Sequence, residues 1–98
     1  VAQAVVNVIK KEDPTREVKV VSAQGLAECK KMMQLAAAGK YNGYLLEGMA
    51  CPGGCIAGAG TLADPARSAM MLNKYKAQAT MKTAADTPYK DTLDKLKY

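Results

Sequence analysis

Residues 51–60 combine two cysteines with four glycines in ten positions, and this segment limits the fold more than any other part of the chain. The two thiols stand four residues apart, with Pro52-Gly53-Gly54 between them. Glycine adopts positive φ freely and leaves space beside the backbone, whereas proline fixes φ and has no N–H group. We therefore predict a loop around a bulky group, in which the N–H groups of Gly53 and Gly54 point at sulfur.

The sequence before this loop predicts a strand, a helix and a second strand. Residues 18–21 and 43–49 are rich in apolar residues that favour strands. Residues 25–38 have a helical pattern that ends before Gly39, a typical C-cap residue. Two consecutive strands joined by a helix indicate an α/β fold with a parallel βαβ unit. The cysteine loop then follows the C-terminal end of a parallel strand, which is where open α/β sheets bind ligands.

Residues 1–12 fit either a helix or a strand. Their β-branched residues favour a strand, but the apolar residues recur at the spacing of one helical face. We predict a helix that ends before the turn at residues 12–15, because Pro14 disfavours helical geometry in the residue before it.

Two helix starts follow the loop. Asp64-Pro65 places an N-cap residue before a proline at the first helical position, and it predicts a helix to about Thr80. After a linker over residues 81–86, Thr87-Pro88 repeats the pattern. It predicts a short final helix, on one face of which lie Tyr89, Leu93 and Leu96.

The chain is expected to form one domain over residues 1–98. An α-β-α-β core with the cysteine loop occupies residues 1–62, and C-terminal helices occupy residues 63–98. The sequence begins at Val1 without an initiator methionine, which suggests a piece of a longer chain.

Composition and charge exclude several classes of function. The net charge of +5 comes from lysines and arginines interrupted by acidic residues, so no contiguous basic stripe predicts nucleic-acid binding. No apolar stretch is long enough for a membrane span. The chain has no histidine, which removes imidazole catalysis and imidazole metal sites. Its three cysteines are an odd number, unlike a disulfide framework. We expect a soluble, cytoplasmic protein in a reducing compartment.

Three chemistries compete for Cys51 and Cys55. A zinc site needs four Cys or His ligands, and only Cys29 is available as a third. A redox disulfide is conceivable, although such pairs more often have a C-x-x-C spacing. Two inert cysteines in a structural glycine turn are the third possibility. Gly58 and Gly60 have no side chain, so the backbone at these two positions can also come close to a bulky group.

The remaining sulfur-containing side chains are expected in the core. Cys29 shares an apolar helical face with Leu26 and Met33, which predicts a buried structural thiol. The methionines at helical spacing are also interpreted as core residues; they are Met32, Met33, Met70 and Met71.

Residues 47–60 read Glu-Gly-Met-Ala-Cys-Pro-Gly-Gly-Cys-Ile-Ala-Gly-Ala-Gly. This segment resembles the last cysteine signature of the FeFe hydrogenases, E-x-M-A-C-x-x-G-C-x-x-G-G-G. It matches eight of the nine fixed positions, with Ala59 in place of a glycine. Thr61-Leu62 stands where the family commonly has Gln-Pro. The order of elements over residues 1–60 also fits that catalytic domain, of which the chain would be the C-terminal part.

The resemblance implies a ligand set. In the family, four cysteines hold the H-cluster, a 4Fe–4S cubane joined through one thiolate to a diiron unit with carbonyl and cyanide ligands. By motif position, Cys51 would ligate the cubane and Cys55 would be the bridging thiolate. Met49 would pack its thioether against the diiron unit as a catalytic-site residue. Gly53, Gly54 and Gly58 would line the cofactor site.

The resemblance also implies the function: reversible reduction of protons to H2, with ferredoxin or a similar iron–sulfur protein as the electron carrier. The other two cysteine ligands belong to family signatures that this sequence lacks, so the remainder of the catalytic domain is an expected partner. The isolated chain is expected to carry no cluster and to be inactive. Two alternatives stay open: a non-catalytic hydrogenase-like iron–sulfur protein for sensing or assembly, and a thiol–disulfide module.

Overall fold

The structure is a computed structural model, and it describes residues 1–96. Its helices and strands are α1 (Ala2–Glu12), β1 (Lys19–Gln24), α2 (Leu26–Ala37), β2 (Tyr44–Met49) and α3 (Pro65–Ala77). Three short 3₁₀ helices lie at Cys55–Ala57, Ala84–Asp86 and Lys90–Lys95. Within residues 1–96, β1 and β2 form a two-stranded parallel sheet flanked by helices. This confirms the predicted α/β fold, and α1 confirms the choice of helix over strand for the N-terminal residues.

Strand β1 is longer than the sequence predicted. Residues 18–21 were expected, but the strand continues to Gln24 because Ser22, Ala23 and Gln24 pair with residues of β2. These three residues have little strand preference of their own. The pairing between strands therefore extends β1, and it brings Gln24 beside Met49 at the end of the sheet.

Glycines set both ends of α2. Gly25 precedes the helix at φ 91° and ψ 148°. At the other end, the N–H of Lys40 donates to Leu35 O over 3.1 Å and that of Gly39 donates to Ala36 O over 2.9 Å. With Gly39 at φ 80°, these two bonds form a Schellman motif. The predicted C-cap glycine is confirmed.

The buried face of α2 differs from the predicted one. Met32 is buried, whereas Leu26 and Met33 are 75% and 60% exposed. Cys29 is half-buried, and its Sγ would lie 3.3 Å from a Cβ added at Gly48 in β2. Apolar residues occur on more than one side of this helix, so periodicity alone could not select the side that packs on the sheet.

The C-terminal half also corrects several predictions. Asp64 caps α3 as expected, with its Oδ2 accepting from the N–H of Arg67 over 2.8 Å, but the helix ends at Ala77 rather than near Thr80. Met70 and Met71 are 67% and 60% exposed and are not core residues. Among residues 1–96, α3 makes its main contact with the 3₁₀ helix at Cys55–Ala57, which leaves most of its surface uncovered.

The last elements are 3₁₀ helices. The predicted linker over residues 81–86 contains one, held by a capping box between Thr83 and Asp86. The final predicted helix is a 3₁₀ helix over Lys90–Lys95. Tyr89 and Leu96 are 76% and 52% exposed, and the side chain of Leu93 lies outside the described residues.

The chain exposes more surface than an independent domain of its size. Its accessible surface is 8299 Å², against roughly 5400 Å² expected for a folded monomer of this mass. Its radius of gyration is 16.3 Å, against about 12.6 Å expected. Among the residues whose burial the structure describes, the buried apolar side chains are Ala2, Val6, Ala23 and Met32. Outside the side of α2 that carries Met32, the apolar side chains of α2 and α3 are largely open to solvent. None of the helices in the described part of the chain has the length and apolar character needed to cross a membrane.

Candidate metal centre

The cysteine loop begins where both strands end. Met49 closes β2, and its carbonyl oxygen accepts a hydrogen bond of 2.8 Å from the N–H of Gly25, which follows β1. A Cβ added at Gly25 would lie 3.5 Å from Pro52 Cγ, so the loop packs on this glycine. The structure thus confirms that the loop leaves the C-terminal end of a parallel strand.

Two consecutive glycines shape the turn between the cysteines. Gly53 has φ 83°, and Gly54 has φ 78° and ψ −169°, a combination that glycine alone adopts readily. The N–H of Gly54 donates to Cys51 O over 3.0 Å, and Gly54 O accepts from the N–H of Ala57 over 3.1 Å. The predicted positive φ values are confirmed.

The N–H groups of the two glycines do not point at sulfur as predicted. Gly53 donates to Oε1 of Gln24 over 2.8 Å, and Gly54 donates to the carbonyl oxygen of Cys51. The Gly54 bond closes the turn, and the Gly53 bond fastens it to β1.

One open cavity of about 570 Å³ lies beside the loop. Its wall includes Met49, Cys51, Gly53, Gly54 and Cys55 of the loop, together with Leu72 of α3. Cys51 is half-buried and Cys55 is exposed. Both cysteine residues therefore border the same cavity, and neither is fully buried in an apolar interior.

Three predicted residues have distinct surroundings. The Sδ of Met49 would lie 3.5 Å from a Cβ at Gly54, so this thioether packs under the turn at the cavity wall. Gly58 contacts Cys51 instead of lining the cavity, since a Cβ there would lie 3.5 Å from Cys51 Sγ. Cys29 points its thiol at Ala23 O and Met49 O, 3.7 and 3.5 Å away, and stays outside the cavity. Its contacts suit the structural role predicted for it.

Two thiols are too few for a complete metal site. Within residues 1–96, no group of three or more His, Cys, Asp or Glu side chains is arranged to hold a metal ion. A 4Fe–4S cubane normally takes four cysteine ligands. The two cysteines at this cavity could therefore supply at most half of the ligands of such a cluster.

A family model described as the iron only hydrogenase large subunit, C-terminal domain, matches residues 2–59. The chain belongs to this family. The match begins in α1 and ends just past Gly58, so it includes the βαβ unit and both cysteines, and it confirms the resemblance seen in residues 47–60. No curated protein and no solved structure matches the chain.

Glu47 of this hydrogenase-family chain supports the sheet that carries the cysteine loop, a role that sequence reasoning did not give it. Its Oε1 accepts from the N–H of Ala2 over 2.8 Å, and its Oε2 accepts from the hydroxyl of Ser22 over 3.1 Å. The carboxylate therefore ties the start of α1 to both strands, two residues before Met49. The Ala2 N–H foremost, with the Ser22 hydroxyl adding to it, lowers the pKa of Glu47 from its ordinary value of 4.5.

We predict that this carboxylate makes stability depend on pH. Because the folded hydrogenase chain binds the proton of Glu47 less tightly than the unfolded chain does, the contribution is present above the ordinary pKa and is lost as the pH falls through the lower folded value. Glu47→Gln should lower the urea midpoint at pH 7, and the difference from wild type should shrink below about pH 4. Glu12→Gln, at the exposed end of α1, is the matched control and should show no such convergence.

Gln24 is the second residue that sequence reasoning missed. It stands 29 positions before Gly53, to which it is bonded. No motif in the local sequence identifies Gln24 as a contact of the loop. The contact forms only because β1 continues as far as Gln24, which brings this side chain to Gly53.

Proposed function

We propose that this chain is the C-terminal part of the catalytic domain of an iron-only hydrogenase, which catalyses the reversible reduction of protons to H2. The observation that carries the proposal is that Cys51 and Cys55 line one cavity at the sheet end of a chain in this family. The two thiolates would be half of the four that hold the H-cluster.

The residues present fit part of that group. Thiolates are the usual ligands of iron–sulfur clusters, and a cavity of about 570 Å³ gives space beside both sulfurs. By motif position, Cys51 would hold the cubane and Cys55 would bridge it to the diiron unit. Met49, on the same wall, would pack its thioether against that unit. When bound, the cluster would supply the proton and electron chemistry, while this chain holds and shields it.

Gly53 and Gly54 would keep the cavity wall thin. A side chain at either position would have to fit beside Ala57 or the Met49 sulfur, with which the turn is already in contact. Gly58 would support the site indirectly, because its lack of a side chain lets the backbone pack closely on the Cys51 sulfur.

The remainder of the catalytic domain is the proposed partner. Parallel sheets are normally covered on both faces, yet this one has two strands in the described residues and exposed apolar side chains around it. We therefore expect the remainder of the catalytic domain to supply both the other two cysteine ligands and the surface that covers this sheet. A ferredoxin-like electron carrier and a cytoplasmic location are proposed with the function.

The test is anaerobic cluster assembly on the chain alone and together with the remainder of its catalytic domain. We expect iron and sulfide in stoichiometric amounts, and hydrogen production, from the assembled protein only. A stable stoichiometric cluster on the isolated chain would contradict the shared ligand set. A cubane without hydrogen production by the assembled protein would favour the non-catalytic iron–sulfur alternative, and a reversible disulfide without iron would favour the thiol–disulfide module.

A further inference from the structure

We infer that Gln24 positions the cysteine loop through its amide oxygen and presents its amide nitrogen as a hydrogen-bond donor to the group held in the cavity. The inference rests on the proposed function for the identity of that group, an anionic iron–sulfur cluster. Gln24 is exposed, lines the same cavity as Cys51 and Cys55, and lies at the end of β1.

The backbone of Gln24 is held firmly from three sides. It is paired with Met49 in the last position of the parallel ladder. Its own N–H donates to Oε2 of Glu28 over 3.1 Å, and the next N–H, that of Gly25, donates to Met49 O over 2.8 Å. The side chain therefore starts from a fixed point at the edge of the cavity.

The orientation of the Gln24 amide follows from its partner. A backbone N–H can only donate, so the atom 2.8 Å from Gly53 N has to be the amide oxygen. This leaves the two N–H groups of Nε2, which have no protein acceptor among residues 1–96. If the cavity holds the proposed cluster, an amide donor at its wall would be placed to hydrogen-bond to thiolate or sulfide.

Such a donor changes the chemistry of a cluster. Hydrogen bonds to cluster sulfur stabilise the more negative, reduced state and raise its reduction potential. They are also stronger than hydrogen bonds between neutral groups, because the acceptor carries charge. Gln24 would therefore affect both where the cysteines stand and how easily the bound cluster accepts an electron.

Two substitutions separate the two effects in the assembled protein. Gln24→Glu keeps an oxygen acceptor for the Gly53 N–H but loses the amide donor. Gln24→Met has a similar length and loses both. Gln34→Met makes the same change at an exposed position on α2, away from the loop, and is the matched control.

The first readout is hydrogen exchange at the Gly53 amide in the cluster-free protein. Gln24→Met should speed this exchange roughly fivefold, the factor expected for one lost hydrogen bond. Gln24→Glu and Gln34→Met should leave it within twofold of wild type. Exchange that is equally slow in Gln24→Met would overturn the positioning role.

The second readout is the midpoint potential of the cubane, followed by electron paramagnetic resonance during a redox titration. Both Gln24 variants should shift the electron-transfer equilibrium at least tenfold towards the oxidised cluster, which is about 59 mV for one electron. Gln24→Glu should shift it further, since it adds a negative charge. Potentials equal to those of wild type and Gln34→Met would overturn the donor role.

The outcomes also separate this inference from the proposed function. A wild-type assembled protein without iron would contradict the function, and the exchange measurement would still decide whether Gln24 holds the loop. A wild-type protein with a normal cluster and unchanged Gln24 variants would contradict only the inference. If Gln24→Met does not fold, Gln24→Glu still tests the donor, because it preserves the contact with Gly53.

Discussion

Replacing Cys51 with alanine is expected to remove the cluster from the assembled protein and to lower hydrogen production at least 100-fold. The substitution would take away one of the four proposed cubane ligands, and even residues that only support metal ligands affect affinity by about 10–100-fold. Cys55→Ala should abolish hydrogen production as completely, because the bridging thiolate would be lost. Iron and sulfide per protein, with the rate of hydrogen production, provide the measurement.

Cys29→Ala is the control within the same chain. Its thiol contacts Ala23 O and Met49 O outside the cavity, so this variant should keep its iron and lose only about 1 kcal/mol of stability. If Cys51→Ala retained a full complement of iron while Cys29→Ala lost it, the assignment of the ligands would be wrong.

Gly53→Ala is expected to destabilise the loop by about 2–3 kcal/mol and to lower cluster occupancy. An alanine would be held at φ 83°, which costs about 1–2 kcal/mol. Its Cβ would also meet the Cβ of Ala57 at 2.8 Å, which is closer than two side chains can lie, so the backbone has to move. Urea unfolding and iron content of the assembled protein measure the two effects.

Two comparisons separate backbone strain from the steric clash. Gly60→Ala has nearly the same φ, 85°, with nothing within 4 Å of the added Cβ, so it should show only the smaller cost of strain. Combining Gly53→Ala with Ala57→Gly removes the clash and should recover about 1 kcal/mol. Equal losses for Gly53→Ala and Gly60→Ala would mean that the contact with Ala57 has no importance.

Local sequence predicted the features that depend on one or two neighbouring residues. Gly39 and Asp64 were identified as helix caps because their chemistry suits a helix end regardless of what surrounds it. The positive φ values at Gly53 and Gly54 followed for the same reason. Residues 47–60 also resemble the last cysteine signature of the family, and the match over residues 2–59 confirms that resemblance.

Features that depend on contacts between distant segments were not predicted. The apolar residues of α2 did not show that Met32 rather than Met33 would be buried, because that choice is made by the sheet. The methionines of α3 looked like core residues but remain exposed, since in the described part of the chain little packs on that helix.

By itself, the sequence determined that this chain has a parallel βαβ unit ending in a glycine turn with two cysteines, because helix caps, strand preferences and glycine φ are properties of short segments. Tertiary structure alone decided that the N–H of Gly53 binds Gln24 and that Glu47 joins α1 to the sheet. Those bonds join residues 29 and 45 positions apart. The first exists because the pairing of β1 with β2 brings Gln24 to the end of β2, and the second exists because α1 packs against β2. Both depend on contacts between distant segments, which no pattern within a single helix or strand specifies.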